Sequence, residues 1–449
     1  MNEGVPVVRP PLPAGPFLVV GLKRSGLAVA RALRAVGAEV RGCDAGEAGV
    51  GVLAELATLG IDARAPDSGL DQLPGVRTVV KSPGVPQDAA VVAAARARGA
   101  LVVGEVEIAW RMLPNEVIAV TGSNGKTTTA ELIGHVHREA GLPVAVAGNV
   151  GTALASVVGG LDPAAVVVCE VSSFQLEDTE RFAPEAAVLL NLTPDHLDRH
   201  GTFEAYTAAK LRVFARQGND DVAVAPLGIG LEDLGGCARR VCFGSGPDAE
   251  LADRSGYLWW DEEPLVAVDA IRLRGLHNRH NAMAAAAVSL ARGVDPEAVR
   301  AGLESFAGVA HRLEDVGSVD GVAYVNDSKA TNVDAAVTGL RAFDGGVHVV
   351  LGGRGLAGDL APLVSAVRER AAGAYLIGEA AEQLAAALSS TGVPVTDAGE
   401  LERAVGAAAA AARRGEVVLL SPACKSFDQY ADYEARGEHF RALVARRSP

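Results

Sequence analysis

A glycine-punctuated turn at residues 121–129 carries the clearest chemistry in this sequence. It reads Thr-Gly-Ser-Asn-Gly-Lys-Thr-Thr-Thr, follows the apolar run Val117–Val120 and precedes a helical stretch from Thr128 to Ala140. Gly122 and Gly125 let the backbone come close to phosphate groups, and the first N–H groups of the helix point at them. Strand, glycine loop and helix together are what a triphosphate needs.

Two side chains of this turn suit a nucleoside triphosphate. Lys126 can reach the β- and γ-phosphate oxygens, and the Thr127 hydroxyl can ligate Mg²⁺. The match departs from the usual phosphate loop, because Val120 occupies the position of its first glycine. The alternative is a strand-to-helix turn with a capping threonine. We interpret the turn as an ATP site, whose wall also includes Gly122, Ser123, Asn124, Gly125 and Thr128.

An acidic residue ends a later apolar run. Glu170 follows Val166–Cys169 and begins Glu-Val-Ser-Ser-Phe-Gln-Leu-Glu. A carboxylate at the carboxyl end of a strand beside a phosphate loop is placed to hold Mg²⁺, directly or through water. A buried capping acid is the alternative interpretation.

Acids and imidazoles cluster at residues 191–200, which read Asn-Leu-Thr-Pro-Asp-His-Leu-Asp-Arg-His. His196 is a candidate ligand of a second metal ion. The spacing of His196, Asp198 and His200 also fits a transition metal, but the oxygen-rich surroundings favour Mg²⁺.

The N-terminal turn Gly21–Gly26 resembles a dinucleotide fingerprint. Lys23 replaces its middle glycine, whose missing side chain lets a pyrophosphate approach, so NAD is disfavoured. A nucleotide diphosphate held by backbone N–H groups, Lys23 and Arg24 fits better. Asp44, at the end of the second strand, is placed for a ribose or base hydroxyl. The alternative is a plain Rossmann-like turn with solvated basic residues.

Two further features have competing interpretations. Lys210 lies on a helix among apolar neighbours, where most lysines extend along the surface. Asn278 and Asn281 open an Ala-rich helix, where either could cap the helix or read an adenine edge.

Bulk composition narrows the class of protein. The 449 residues carry 41 basic and 55 acidic side chains, a formal net charge of −14. With no compensating basic block, we expect neither nucleic acid nor an anionic membrane as a partner. The five scattered cysteines are typical of reduced thiols. Met1–Pro16 lacks the apolar region of a signal peptide, and every apolar run is interrupted before about 18 residues. We expect a cytoplasmic protein that acts as a monomer.

Alternating strand and helix patterns predict an α/β fold with three domains. The predicted domains are an N-terminal Rossmann-like domain at 1–113, a central P-loop ATPase-like domain with a mixed sheet at 114–309, and a C-terminal Rossmann-like domain at 310–449. The predicted strands include Phe17–Val20, Glu39–Cys43, Thr78–Lys81, Pro143–Ala147, Ala165–Cys169, Ala186–Leu190, Val322–Val325, Val347–Leu351, Ala374–Ile377 and Val417–Leu420. Turn residues between Arg240 and Leu273 predict antiparallel strands, and Asn281–Ala291 predicts a helix.

Together these motifs resemble the Mur ligases, the ATP-dependent amide-bond-forming enzymes of peptidoglycan precursor synthesis. The resemblance covers the whole chain, and the ordered set of segments is far more specific than any one of them. These segments are Thr121–Thr129, Gly148–Gly151, Glu170–Glu177, Leu192–Arg199, Ala208–Leu211, His277–Asn281, His311–Arg312, Asn326–Asn332 and Leu420–Gln429. The last segment, with Ser421–Cys424 and Ser426, Asp428 and Gln429, indicates the glutamate-adding branch.

The resemblance implies a reaction and its participants. ATP would phosphorylate the carboxylate of UDP-linked muramoyl-alanine (UDP-MurNAc-L-Ala), and the amine of D-glutamate would attack the acyl phosphate. ATP and Mg²⁺ are the implied cofactors, and the partners are small molecules. The implied catalytic residues are Lys126, Glu170, His196, Lys210 and Lys329. The implied metal ligands are Thr127, Glu170, His196 and Lys210, the last as a carbamate.

The same resemblance assigns the remaining contacts. Besides the phosphate loop, the implied ATP contacts are Asn281, Arg312 and Asp327. The implied substrate contacts are Lys23, Arg24, Ser25, Asp44, Ser82, Asn149, Thr331, Arg354, Ser426 and Tyr433.

One departure concerns the amino-acid acceptor. In the run 352–358 the family usually carries a lysine, facing a carboxylate of the incoming glutamate, where this chain has Leu356. Leucine cannot pair that charge, so Arg354 is the candidate donor. Lys23 is a second, milder departure.

Other functions are weighed against this one. A related ligase could add L-glutamate or another amino acid. A folylpolyglutamate synthetase-like enzyme is disfavoured by the uridine-type first domain, and a dehydrogenase by Lys23. A non-catalytic nucleotide-binding scaffold would not need all of Lys126, Glu170, His196, Lys210 and Asp327.

Overall fold

The computed structural model describes residues 7–49, 51–229, 234–273, 275–356 and 358–447. Two sequence interpretations, on Met1–Pro16 and on the run 352–358, include residues outside these ranges. The strands of the described residues form three sheets. The chain divides into two compact units, one of Met1–Ile271 with His277–Phe306 and the other of Arg272–Leu276 with Ala307–Pro449.

The first unit begins with a five-stranded sheet whose described strands are all parallel, in the order β3-β2-β1-β4-β5. Because the strand order reverses between β1 and β4, a crevice opens at their carboxyl ends. The strands are β1 Phe17–Val20, β2 Val40–Cys43, β3 Asp62–Arg64, β4 Thr78–Lys81 and β5 Leu101–Gly104. The helices are α1 Arg24–Ala35, α2 Val52–Thr58, α3 Ala90–Ala97 and α4 Glu105–Met112.

A second sheet completes this unit and has the described order β14-β13-β12-β11-β10-β9-β6-β8-β7. Its strands are β6 Val117–Thr121, β7 Val144–Gly148, β8 Val166–Glu170, β9 Ala186–Leu189, β10 Val222–Pro226, β11 Arg239–Gly244, β12 Leu251–Arg254, β13 Tyr257–Trp260 and β14 Glu263–Ala267. Its helices are α5 Lys126–Glu139, α6 Ser173–Leu176, α7 Leu197–His200, α8 Phe203–Leu211, α9 Leu276–Ala291 and α10 Pro296–Ser305.

The prediction of antiparallel strands between Arg240 and Leu273 is partly wrong. Strand β11 pairs in parallel with β10, and β12 pairs in parallel with β11. Only β13 and β14 extend the sheet in antiparallel fashion. Alternating polarity reports which face of a strand is buried, and it carries no information on strand direction.

The register of the middle sheet places the chemistry. Strand β6 is central, with β8 and β9 on either side, and Val120 lies opposite Glu170 while Thr121 lies opposite Leu189. The phosphate loop, Glu170 and residues 191–200 therefore leave the sheet at one carboxyl edge.

The second unit holds the third sheet, with the described order β15-β16-β20-β17-β18-β19. Only its β15–β16 pair is antiparallel among the described pairs. The strands are β15 Glu314–Val319, β16 Val322–Asn326, β17 Val347–Gly352, β18 Ala371–Ile377, β19 Val395–Gly399 and β20 Val417–Leu420. The helices are α11 Val333–Arg341, α12 Ala361–Arg370, α13 Ala381–Leu388, α14 Leu401–Ala411 and α15 Tyr433–Ala445.

The predicted α/β class and the mixed sheet in the middle of the chain are confirmed, and the described strands form three sheets. The domain limits at 113 and 309 stay predictions. Across the residues that the structure describes, no helix combines the length and apolarity needed to cross a membrane.

Candidate active site

The phosphate loop turns sharply between β6 and α5. Gly125 has φ 86° and immediately precedes Lys126, the first residue of α5. A β-carbon at Gly125 would clash with the side-chain amide of Asn281, so only glycine allows this approach. The loop is further fixed from the β9 side, because Asn191 accepts from the Asn124 N–H at 2.9 Å and donates to its carbonyl at 3.1 Å.

Two lysines share one carbonyl oxygen of the loop. Lys126 Nζ donates to the Gly122 carbonyl at 3.0 Å, and Lys210 Nζ donates to the same oxygen at 2.7 Å. Lys210 is 2% exposed, so the prediction from sequence physics of a lysine extending along the surface is wrong. Burial, with the charge of Lys126, lowers the pKa of Lys210 to about 7. The lowered pKa favours the neutral, nucleophilic form of this amine.

Oxygen donors gather next to the loop. The Thr127 hydroxyl donates to Glu170 Oε2 at 2.7 Å, and the side-chain amide of Asn149 donates to Glu170 Oε1 at 3.2 Å. Glu170 is buried, at the end of β8. A hydroxyl and a carboxylate are the hard oxygen ligands that Mg²⁺ prefers, so Thr127 and Glu170 fit that ion.

His196 sits in a different part of the same edge. It has φ 51° and precedes α7, and its ring lies 4.8 Å from the ring of Phe174 and 3.5 Å from an Asp195 carboxylate oxygen. In the described part of the chain no hydrogen bond joins it to Glu170, and no group of three acidic, histidine or cysteine side chains is close enough to hold a metal ion.

The alternative transition-metal site at His196, Asp198 and His200 does not form in the described residues. Both ring nitrogens of His200 have protein partners, the Ser173 hydroxyl at 3.0 Å and a Glu177 carboxylate oxygen at 2.9 Å. Burial lowers the pKa of His200.

The start of α9 faces the phosphate loop. The helix begins at Leu276, earlier than predicted, so Asn278 and Asn281 both lie inside it and neither is an N-cap. Both are buried, and the Asn281 amide donates to Asn278 Oδ1 at 3.1 Å. Packing against Gly125 places Asn281 at the predicted ATP site.

The first sheet forms a cleft of about 450 Å³ where its strand order reverses. Four predicted substrate contacts line it: Lys23, Ser25, Asp44 and Ser82. Asp44 also shapes the turn, because its carboxylate accepts from the Leu22 and Gly46 N–H groups at 2.7 and 3.0 Å.

Arg24 points from the first sheet to the second. Its guanidinium donates to the Asn149 carbonyl oxygen at 3.1 Å. The backbone N–H of Asn149 in turn donates to the Glu170 carbonyl oxygen at 2.9 Å. Two predicted substrate contacts are thereby joined to the predicted metal ligand.

In the second unit, Asp327 is buried where β16 meets β20. It accepts from the Ser421 hydroxyl at 2.8 Å and from the Leu313 N–H at 3.2 Å. Burial raises the pKa of Asp327 to about 7, although these hydrogen bonds and the charge of Arg312 act in the opposite direction.

Lys329, Ser426, Thr331 and Tyr433 lie on loops and a helix of this unit. Lys329 Nζ is 5.6 Å from the centre of the Tyr433 ring, and the Thr331 N–H donates to the Lys329 carbonyl at 2.9 Å. Ser426 is buried, in the loop after β20. The sequence prediction missed Arg436, which is 1% exposed and donates to the carbonyls of Ser328 at 2.8 Å and Cys424 at 3.1 Å.

The candidate acceptor residues after β17 are placed in opposite ways. Arg354 is exposed and donates to both carboxylate oxygens of Glu379, at 3.0 and 2.6 Å. Leu356 packs against the apolar core of the second unit. The leucine is partly buried against this core, and Arg354 already has an acidic partner.

Sequence reasoning also missed Tyr206 and Phe174. The Tyr206 hydroxyl lies 2.8 Å from the Ser123 hydroxyl, and its ring lies 4.6 Å from Lys210 Nζ. Tyr206 precedes Lys210 by one helical turn on α8, a spacing that places both on one face. Phe174 contacts His196, and its position near Glu170 in sequence was the available signal.

Comparison with known proteins gives consistent matches. The Mur ligase middle domain matches residues 120–234, and the Mur ligase glutamate ligase domain matches residues 311–424. UDP-N-acetylmuramoylalanine–D-glutamate ligases of Acidobacterium capsulatum and Geotalea uraniireducens are each 42% identical to the chain. The alignments cover 95% of this chain and 95% and 96% of those proteins.

Solved structures show the same fold. The UDP-N-acetylmuramate–alanine ligase of Thermotoga maritima has a TM-score of 0.59 at 21% identity, covering 96% of this chain and 99% of that one. The MurF ligase of the same organism, in complex with ADP, has a TM-score of 0.57 at 19% identity, covering 83% and 90%.

Proposed function

The chain belongs to the Mur ligase family, and we propose that it joins D-glutamate to UDP-N-acetylmuramoyl-L-alanine at the expense of ATP, in peptidoglycan precursor synthesis. The relatives of that name, 42% identical over nearly the full length, support the substrates. The observation that carries the ATP-dependent chemistry is the meeting of Lys126, Thr127, Glu170 and Lys210 at one strand edge.

The proposed reaction has two steps. A carboxylate oxygen of the muramoyl-alanine attacks the γ-phosphorus of ATP, and the bond from that phosphorus to the bridging β-phosphate oxygen breaks. ADP departs, and the muramoyl-alanine now carries an acyl phosphate. The neutral amine of D-glutamate then attacks the acyl carbon, and the tetrahedral intermediate expels phosphate while the amine loses a proton. Positioning and charge neutralisation supply most of the rate in such transfers.

Lys126 is assigned to the transferred phosphoryl group. Its ammonium contacts the carbonyls of Gly122 and Ser123, at 3.0 and 2.8 Å, which hold it at the mouth of the loop. A fixed positive charge there stabilises the negative charge that the leaving and attacking oxygens share.

Thr127 and Glu170, which contact each other, are assigned to Mg²⁺ from their geometry, and His196 and a carbamylated Lys210 are assigned to it by family resemblance. Bound Mg²⁺ would withdraw charge from the phosphate oxygens. The carbamate is implied by the family resemblance, and the lowered pKa of Lys210 supports it, because a neutral amine adds to the carbon of CO₂ and releases one proton. The product is a carboxylate on a long stem beside Glu170, which is chemically suited to an oxygen-binding metal.

The remaining contacts are assigned by family resemblance. Asn281 is proposed to contact the adenosine, and Arg312, Asp327 and Lys329 the nucleotide. The cleft with Lys23, Ser25, Asp44 and Ser82, together with Arg24, is proposed for the UDP group, and Asn149 for the muramoyl group. Thr331, Arg354, Ser426 and Tyr433 are proposed for D-glutamate.

Leu356 favours a second candidate, a ligase of the same type with another acceptor such as L-glutamate. A leucine packed on the core cannot pair a carboxylate, and a buried unpaired charge costs several kcal/mol. The two candidates share the ATP chemistry and differ only in the amino acid.

Phosphate release tests both. Release should require Mg²⁺, ATP, UDP-MurNAc-L-Ala and an amino acid together, with D-glutamate preferred in a screen that includes L-glutamate and neutral amino acids. Preference for another amino acid would move the assignment to the second candidate. Phosphate release that ignores the muramoyl nucleotide would refute the ligase function.

A further inference from the structure

Loop 82–87, with the sequence Ser-Pro-Gly-Val-Pro-Gln, joins the first sheet to the catalytic edge of the second. Residues of this loop line the cleft below the first sheet. The guanidinium of Arg199, in α7, donates to the Pro83 carbonyl at 2.7 Å and approaches the Val85 carbonyl at 3.4 Å. The segment that follows His196 is thereby attached to the wall of the cleft.

A buried ion pair fixes the other side of the loop. Lys81 Nζ lies 2.8 Å from Asp178 Oδ2, with both side chains almost fully buried, and donates to the Val85 carbonyl at 2.8 Å. The Gln87 amide donates to Asp178 Oδ1 at 2.8 Å. Because burying two charges is favourable only when their partners are well placed, this arrangement resists displacement of the loop.

Arg199 also contacts the surroundings of His196. Its guanidinium carbon lies 4.1 Å from the centre of the Phe174 ring. The His196 ring lies 4.8 Å from the same ring, and Phe174 belongs to α6, shortly after Glu170. Arg199 and His196 therefore share one aromatic neighbour, and the cation–π contact favours the present placement of the guanidinium.

We propose that Arg199 is a positioning residue that links occupation of the cleft by the nucleotide sugar to the placement of His196 for the metal. This inference rests on the proposed function, because that function supplies both ligands. A ligand that pushes on Pro83 or Val85 acts on the guanidinium, and the guanidinium acts on Phe174 and His196. By linkage the effect is reciprocal, so bound Mg²⁺ and nucleotide should tighten the binding of the nucleotide sugar.

Titration calorimetry measures this linkage directly. The dissociation constant of UDP-MurNAc-L-Ala is determined with and without Mg²⁺ and a non-hydrolysable ATP analogue. In the wild-type protein we expect the pair to tighten binding about tenfold. In Arg199→Met, which keeps the apolar contact with Phe174 and removes the donors, the two constants should agree within about twofold.

Arg216→Met is the matched control. Arg216 donates to the Glu180 carbonyl at 3.2 Å, and within the described residues it has no hydrogen bond to loop 82–87. Its linkage should equal that of the wild type. Arg199→Lys retains one donor for the Pro83 carbonyl without the planar group over Phe174, and should give an intermediate value.

A second variant separates linkage from folding. Phe174→Leu keeps Arg199 and the loop contacts but removes the shared ring, and should also abolish the linkage. Thermal unfolding confirms that each variant is folded before titration. Full linkage in folded Arg199→Met or Phe174→Leu, or none in a wild-type protein that turns over, would overturn the inference and leave the ligase function standing. Absence of wild-type turnover would instead refute the function.

Discussion

The carboxyl edge of the middle sheet and that of the third sheet hold their functional side chains by different means. At the middle sheet the candidate groups bind one another and the loop backbone, as Thr127 does with Glu170 and as Lys126 and Lys210 do with Gly122. At the third sheet, Arg354 is exposed and paired with Glu379, and Leu356 is partly buried against the apolar core.

The proposed function assigns a different part of the reaction to each edge. Phosphoryl transfer needs fixed charges, and mutual contacts fix them. In the proposed function, acceptor choice depends on a few groups of the loop after β17, which are separate from the groups assigned to phosphoryl transfer.

The largest effect is expected for Lys126→Ala. Removing the ammonium removes charge compensation at the transferred phosphoryl, so kcat should fall about 10³-fold or more. Steady-state phosphate release measures it. Lys126→Arg, which retains the charge, should fall less, and near-normal turnover of Lys126→Ala would show that this edge does not carry the chemistry.

Lys210→Ala should lose nearly as much activity, by about 10²–10³-fold, and regain part of it with short carboxylic acids such as acetate. The acid would replace the carbamate beside Glu170. Lys126→Ala is the control, because a carboxylate cannot replace its ammonium. Since the amine must be neutral to react and its pKa is about 7, carbamate formation should rise with pH through 7. An unmodified Lys210 in active enzyme, seen by mass spectrometry under CO₂, would contradict the assignment.

Asp327→Asn tests the buried carboxyl group at the carboxyl edge of the third sheet. Burial raises the pKa of Asp327 to about 7, so between pH 4 and 7 the folded state holds a proton that the unfolded state has released. Wild-type stability should therefore fall as pH rises through this window. The variant should gain, relative to the wild type, on the order of 2 kcal/mol in free energy of unfolding between pH 4.5 and pH 8.

Urea unfolding at the two pH values measures that gain. Asp334→Asn is the control, since it makes the same substitution at an exposed position on α11. Equal pH profiles of Asp327→Asn and wild type would show that the Asp327 carboxyl is ionised throughout.

The smallest effect on activity is expected for the exposed Arg354 side chain at the carboxyl edge of the third sheet. Arg354→Ala should raise the KM for D-glutamate about tenfold, with the KM for ATP little changed, if Arg354 supplies the donor that Leu356 lacks. Glu379→Gln should lower that KM a few-fold, because it releases the guanidinium from its partner. An unchanged KM for D-glutamate in both variants would show that Arg354 does not bind the acceptor.

Much of the carboxyl edge of the middle sheet was predictable, because short contiguous segments of the sequence specify it. A glycine loop after an apolar run, and Glu170 at the end of another run, specify strands whose carboxyl ends meet, and β6 and β8 do pair. Lys210 was not predictable from physics, because its burial depends on packing of α8 against a loop distant in sequence.

Other features could not be predicted because they depend on residues distant in sequence. Arg354 and Glu379 lie 25 residues apart, and nothing in the run around Arg354 indicates the pairing. The short elements β3 and β5, and helices α2 to α4, were missed because three- to eight-residue segments carry too little periodicity. The parallel direction of β11 depends on its pairing with β10, and the alternation of polar and apolar residues does not specify that pairing.

Arg436 has a consequence for how this protein can evolve. One buried guanidinium binds carbonyls of two loops, those of Ser328 and Cys424. A mutation that moved either loop would leave the buried Arg436 guanidinium without a hydrogen-bond acceptor. Selection should therefore preserve the backbone positions of both loops. Substitutions of the Arg354 or Leu356 side chain leave these hydrogen bonds intact, because neither side chain takes part in them.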